Sequence, residues 1–282
     1  MSKIRKIKKR IDSVKKTQKM TRAMQMISSV KFRKFDKTFQ KVKPSAKVMA
    51  HVVEDVAQRN RGLANPFLRK TKMDKQKDLV VIITGDRGLC GNYNSAVIRE
   101  ATALLKKSDY DIGVIGKRGQ MFFEGLGKSS EFFFENPGAI SFGSFVQEVS
   151  EVVLQRYASY DRVFFLYTEF VNTLTRKVSL KKIFPVCEGE CEGKKAETLY
   201  EMDEKEVLDQ LVEEYLFSSV TYAVSSAAVS EESARMAAMD SATHNAEEMI
   251  SSLNLIYNRV RQAAITKEMI EISSGSEALV NV

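Results

Sequence analysis

With 282 residues, 44% hydrophobic and 28% charged, the chain has room for one elongated unit or two compact ones and the composition of an ordinary soluble protein. No run of about eighteen or more apolar residues occurs, which excludes a membrane-spanning helix, and the three cysteines form no zinc-like array and suit a reducing cytoplasm. The net charge of +8 is unevenly spread: residues 1–43 carry sixteen Lys or Arg against two acids, and residues 197–282 carry sixteen Asp or Glu against five basic residues. Ends of opposite charge are suited to pairing with each other, because charges flanking a seam set partner choice and orientation.

The opening, MSKIRKIKKRI, has neither an apolar stretch nor a cleavage pattern and reads as mature sequence. No proline precedes Pro44 and no glycine precedes Gly62. Residues 3–43 are therefore expected to run as one helix, roughly 60 Å long. Positions 4, 7, 11, 14, 18, 21, 25, 28, 32, 35, 39 and 42 follow heptad spacing, and eight of the twelve are apolar, from Ile4, Ile7, Ile11 and Val14 to Phe32, Phe35, Phe39 and Val42. That periodicity predicts a coiled coil. In MTRAMQMISSV (Met20–Val30) the pattern inverts. The seam turns polar at Thr21, Gln25 and Ser28, while Met20, Ala23, Met24, Met26, Ile27 and Val30 spread over another arc. A second apolar surface calls for a second partner.

The middle of the chain has a different composition. Asp78–Thr84, Tyr110–Gly116 and Arg162–Phe170 read as strands from their β-branched and aromatic runs, and Thr173–Val186 as a possible fourth. Residues 92–107 and 144–159 are the intervening helical stretches. Strands alternating with helices predict a small, largely parallel, Rossmann-like α/β domain. The glycines of TGDRGLCGNYN, Gly85, Gly88 and Gly91, recur every third residue after the first strand, as Gly113, Gly116 and Gly119 do around the second. Neither set is G-x-G-x-x-G, and neither ends in GK[ST]. A tight strand-to-helix turn is the better reading than a nucleotide site.

After Gly193 neither proline nor glycine appears until Gly275, which predicts one helix of nearly eighty residues, roughly 110 Å long. Its seam is expected at Ala246, Met249, Leu253, Ile256, Val260, Ala263 and Ile270. Leu216, Val220, Ala223, Ala227, Ala234 and Ala237 lie on a displaced seam, implying different partners at different heights. The fold class expected is α/β plus a long antiparallel α-helical coiled coil, with the α/β domain inserted between the two arms. The divisions expected are 1–60, 75–190 and 200–282.

Candidate chemistry is sparse. His51 and His244 are the only histidines, and no Ser-His-Asp set, metal cluster or strand-end carboxylate pair accompanies them, so no active site, metal or cofactor is expected. Glu213–Glu214 and Glu231–Glu232 read as solvated helix faces. Cys187 and Cys191 lie in a Glu-rich loop that discourages thiolate chemistry and read as reduced thiols. The basic arm has the charge to bind phosphate backbones, but no aromatic residue precedes Phe32 to provide a stacking platform.

Ile4–Lys34 and Tyr257–Leu279 closely resemble the two ends of the gamma subunit of F-type ATP synthase. GDRGLCGNYN resembles that family's middle-domain signature, and Ala234–Ile250 continues the C-terminal likeness. The resemblance implies a central rotor stalk without catalytic residues or cofactors. It would transmit torque between the c ring and three catalytic beta subunits. Its implied partners are the alpha and beta subunits, the epsilon subunit and the c ring, with no nucleic acid. Its implied place is peripheral, on the cytoplasmic face of the bacterial membrane, held there indirectly through the c ring. By position, Met24 would contact a beta-subunit loop, Arg261, Gln262, Thr266 and Glu268 the same beta region, and Tyr200 and Glu201 the c ring. Cys187 and Cys191 lack the long insert of the plant form's regulatory dithiol. The rival readings are a coiled-coil adaptor binding nucleic acid or ribosomes through the basic arm, and a nucleotide-binding enzyme.

Overall fold

The computed structural model describes residues 2–59, 67, 77–107, 110–137, 142–157, 159–186 and 204–280. In chain order they form α1 (Ser2–Arg59), β1 (Asp78–Ile83), α2 (Tyr93–Lys107), β2 (Tyr110–Ile115), α3 (Lys117–Gly125), β3 (Phe132–Phe134), α4 (Phe142–Tyr157), β4 (Arg162–Phe170), β5 (Arg176–Phe184) and α5 (Glu204–Val280). Packing groups these residues into two units, Ser29–Arg235 and a helical pair of Met1–Ser28 with Met236–Val282, so each long helix contributes to both.

In the first unit the strands lie in the order β3-β2-β1-β4-β5, all parallel except β5, which pairs antiparallel with β4. Every residue of β1 is buried, as a central strand covered on both faces requires. The pleat sends alternate side chains to opposite faces. Val80 and Ile82 pack with Val97 and Ala101 of α2 and Phe123 of α3. Leu79, Val81 and Ile83 belong to the core shared with Phe39 and Val53 of α1, Val146, Val149 and Val153 of α4, and Leu216, Val220 and Ala223 of α5. Two elements were not legible in the sequence. Three phenylalanines in β3 are too few to show alternation, and Gly119 and Gly125 inside α3 resemble turn punctuation.

Pro44 does not end α1, which runs through it to Arg59. A proline inside a helix removes one backbone bond and crowds the preceding turn, but Phe39, Ala46, Val53 and Ala57 are buried on one face across the break. Tertiary packing holds the helix where local preference would stop it.

In the helical pair, Ile11, Thr21 and Ser28 are buried and Ile4, Ile7, Val14, Gln18 and Gln25 half-buried. The polar stretch therefore does continue the inward seam. Thr21 and Thr243 share a hydrogen bond of 2.7 Å, and Gln25 Nε2 donates to Asp240 Oδ1 at 2.8 Å. The α5 seam differs from the one expected. Ala246, Leu253 and Val260 are shielded, but Met249, Ile256, Ala263 and Ile270 are exposed, and Ile250, Tyr257 and Ala264 are half-buried in their place. The apolar doublets Met249–Ile250, Ile256–Tyr257 and Ala263–Ala264 satisfy either step of the heptad. Only the partner helix selects between them.

Candidate functional site

The loop TGDRGLCGNYN between β1 and α2 acts on the neighbouring helix α3. The first N–H groups of a helix have no partner within it. Here Lys117 N–H donates to Asp86 Oδ1 at 2.9 Å, Arg118 N–H to the Gly85 carbonyl at 3.1 Å and Gly119 N–H to Thr84 Oγ1 at 2.9 Å. Gly116 precedes them at φ 104°, where a Cβ would lie 2.2 Å from the Thr84 carbonyl oxygen. Asn94 closes the loop on itself, accepting from Gly85 N–H at 2.8 Å and donating to the Arg87 carbonyl at 3.2 Å. Helix N–H groups of the kind that cradle a phosphate are taken at α3 by residues 84–86.

A carboxylate occupies the crevice beyond β1. A Cβ on Gly85 would sit 2.7 Å from Glu231 Oε1, so glycine is what admits the side chain of α5. Glu231 and Glu232 are not a solvated face: their side chains are 16% and 8% exposed and both pair with Arg235, itself 10% exposed. Arg235 Nη2 bonds Glu231, Nη1 lies 2.8 Å from Glu232 Oε1, and Nε donates to the Gly88 carbonyl at 3.3 Å. Lys31 Nζ of α1 stands 3.9 Å from Glu232 Oε1. Burial pushes the Glu231 carboxyl above its ordinary pKa despite Arg235. Burial works against the Arg235 charge, but Glu231 and Glu232 outweigh it and raise its pKa. Burial and Glu231 likewise push the Cys90 thiol up, away from reactivity. Asp86, Glu231 and Glu232 share this crevice with Lys31, Lys34, Arg87 and Arg235, so its charges are met within the chain.

The spacing Glu-Glu-x-x-Arg was visible as i,i+3 and i,i+4 pairing. Its burial was not, because the apolar neighbours that enclose it come from distant segments. His51 and His244 stand on exposed helix faces beside Glu54 and Glu248. Among the described residues no group of His, Cys, Asp or Glu is arranged to hold a metal. Cys187, Cys191, Tyr200 and Glu201 lie outside the described residues.

The helical pair carries the other candidates. Met24 is half-buried and Arg261, Gln262, Thr266 and Glu268 are exposed on α5. The contacts of Thr21 with Thr243 and of Gln25 with Asp240 set an antiparallel register. In that register Met24 lies beside residue 240 or 241, about twenty residues and hence roughly 30 Å from Arg261. Met24 and the C-terminal cluster are thus separate patches and not the single contact region expected, because the antiparallel register sets Met24 opposite residue 240 or 241 and not 261. Around Met24, Met20 and Ile27 are 59% and 57% exposed, and beyond Arg261 so are Ile265, Met269, Ile270 and Ile272 at 48% or more.

A family model described as ATP synthase matches residues 3–279. The ATP synthase gamma chain of Pelotomaculum thermopropionicum is 35% identical over 99% of this chain and 100% of its own length, and that of Alkaliphilus metalliredigens is 38% identical over 97% of each. The chain belongs to the ATP synthase gamma-chain family. It is accordingly a gamma chain, a non-catalytic subunit of an ATP synthase. Its fold is that of the corresponding chain in the Euglena gracilis mitochondrial ATP synthase, with a TM-score of 0.70 at 19% identity over 99% of this chain and 95% of that one. A chain from the Tetrahymena thermophila central stalk and c ring gives 0.62 at 23% identity, over 79% of this chain and 99% of that one. No described helix is long and apolar enough to cross a membrane. Nothing in these likenesses favours a nucleic-acid adaptor.

Proposed function

We infer that this chain is the turning shaft of a proton-translocating ATP synthase, standing within a hexamer of alpha and beta subunits. Its foot meets the epsilon subunit and the c ring at the cytoplasmic face of a bacterial membrane. The observation that carries this reading is the outward apolar surface of the helical pair. Its inward seam is already filled, by Thr21 and Ser28 as well as Ile11, yet Met20, Ile27, Met269 and Ile272 stand exposed. Large apolar side chains in that position suit a surrounding protein collar. Methionine is adaptable and non-directional, which fits a surface that meets successive partners as it turns. A shaft couples to three catalytic sites only through contacts that differ with angle. Met24 contributes to those contacts at one height, and Arg261, Gln262, Thr266 and Glu268 at another, where basic and amide groups bond beta-subunit carboxylates. Tyr200 and Glu201 are assigned to the c-ring contact on the family likeness alone.

The substitution Met24→Lys tests this. Met24 is only half-buried, so the free chain should melt within ~1 kcal/mol of the parent. In the reconstituted complex, lysine reaches beta carboxylates and favours particular shaft angles. Hydrolysis should survive while protons pumped per ATP fall. A large loss of melting temperature with an unchanged pumping ratio would make Met24 a core residue and overturn the bearing role.

A further inference from the structure

Within the unit Ser29–Arg235, α1 and α5 are held to the sheet by different kinds of contact. Phe32 and Phe39 of α1 meet the Phe170 ring at centroid distances of 5.8 and 6.1 Å. α5 also buries apolar side chains, but one stripe of it is polar: Tyr222, Ser226, Ser230 and Ser233, spaced four, four and three apart and so on one face. Serine in a helix interior has no conformational advantage, and a buried hydroxyl without a partner is costly. All three serines are fully buried and all three have partners at the end of β4 or in the turn to β5. Phe170 N–H donates to Ser226 Oγ at 2.9 Å, Ser230 Oγ donates to the Thr168 carbonyl at 3.2 Å and Ser233 Oγ to the Thr173 carbonyl at 2.9 Å. Arg176 Nη1 donates to Ser233 Oγ at 3.2 Å, and Tyr222 OH to Glu169 Oε1 at 3.1 Å. Tyr93 OH of α2 also donates to a carbonyl of this stretch, that of Ala227, at 3.2 Å.

We propose that Ser226, Ser230 and Ser233, with Tyr222, are the residues through which torque passes between the sheet domain and α5. Apolar contact is non-directional, so a smooth helix held only that way gives under a turning force until side chains collide. Hydrogen bonds weaken steeply as they bend, and short serine side chains have little slack. Five bonds on one stripe, with that of Tyr93 to the helix backbone, fix the helix in azimuth. Both strands of the β4–β5 hairpin contribute, so the load spreads into the sheet through the antiparallel ladder rather than into one loop. These are positioning residues for the rotor role, on which this inference rests.

The test uses the assembled complex, with the hexamer fixed to a surface and a bead linked to the exposed face of α2. Angular fluctuation of the bead in the pause before ATP binding reports the stiffness of the path through the sheet and α5. The triple variant Ser226→Ala, Ser230→Ala, Ser233→Ala should broaden the variance at least about two-fold while leaving ATP hydrolysis within about two-fold of the parent. Val229→Ala removes a buried apolar group from the same stretch of helix and should lower the melting temperature without comparable broadening. If the triple variant fails to assemble, Ser230→Ala alone should give a smaller but measurable broadening. Equal broadening by Val229→Ala, or none from the serine variants, would overturn the assignment. A parent bead that does not rotate with ATP would refute the rotor role itself. A parent bead that rotates, with serine variants indistinguishable from it, would refute only the serine seam.

Discussion

Residues 212–235 and 246–264 belong to the same helix, yet their surroundings have little in common. In the first stretch only Glu213, Glu214 and Phe217 are exposed. In the second, Ala246 is buried and Ile250, Leu253, Tyr257, Val260 and Ala264 are half-buried, while the rest face outward. A helix enclosed all round must be small and satisfied all round, and the first stretch accordingly alternates Ala and Ser with Val, Leu and Tyr. A helix shielded along one narrow stripe needs only that stripe to be apolar. The difference locates rigidity. The enclosed half is fixed by directional bonds and buried charge pairs, and the open half keeps its surface for partners.

The largest effect expected from breaking this contrast is at Arg235. Arg235→Ala leaves Glu231 and Glu232 buried without their main counter-charge, and Lys31 is too distant and too exposed to replace it. The loss should be ~3–5 kcal/mol in denaturant unfolding of the purified chain. Arg259→Ala, on the exposed part of the same helix, should change stability by less than about 0.5 kcal/mol. Comparable losses at both positions would mean that the two halves are not differently held.

Much of this architecture was legible in the sequence because it rests on local rules. The N-terminal heptad reads correctly from Ile4 to Val42, and β4 begins and ends where its aromatic run does. The illegible parts depend on distant neighbours. Glu231 and Glu232 look like a solvated pair until α1, the β1 loop and Arg235 enclose them. Met249 and Ile250 are equivalent to a periodicity count, and only the partner helix distinguishes them. α3 begins at Lys117 because Thr84, Gly85 and Asp86, more than thirty positions away, satisfy its first N–H groups. The apolar arc of Met20, Met24 and Ile27 was visible in the periodicity, but Arg261, Gln262, Thr266 and Glu268 were nominated by family likeness, since exposed polar positions carry no local signal of a partner.

A middle-sized effect sharpens the same comparison by adding volume instead of removing charge. Ala223 is 1% exposed in the shared core, and Ala223→Leu should cost about 1–3 kcal/mol by forcing neighbours off their rotamers. Ala263 is exposed, and Ala263→Leu should leave the melting temperature of the free chain nearly unchanged, within about 0.5 kcal/mol. If Ala263→Leu proves as destabilising as Ala223→Leu, the distal stretch is packed within the chain and its surface is not free for a collar.

The smallest effect concerns the polar seam of the helical pair. Thr21 and Thr243 share a 2.7 Å contact, and each hydroxyl also reaches a carbonyl of its own helix, Thr21 that of Gln18 at 3.0 Å and Thr243 that of Met239 at 2.8 Å. Two hydroxyl protons serve three contacts, so one bridges the helices while the other turns back to its own backbone. Replacing either threonine by valine removes the bridge and leaves the remaining proton a carbonyl to bond. Each single change should cost about 0.5–1.5 kcal/mol. The double change, Thr21→Val with Thr243→Val, leaves two β-branched apolar groups facing each other and should cost less than the sum of the singles, with a coupling of at least ~0.5 kcal/mol. The four melting curves of the free chain measure this directly. Strict additivity would show that the two hydroxyls do not interact. A coupling with little net cost would imply that the polar pair was retained to fix register between the helices more than to stabilise them.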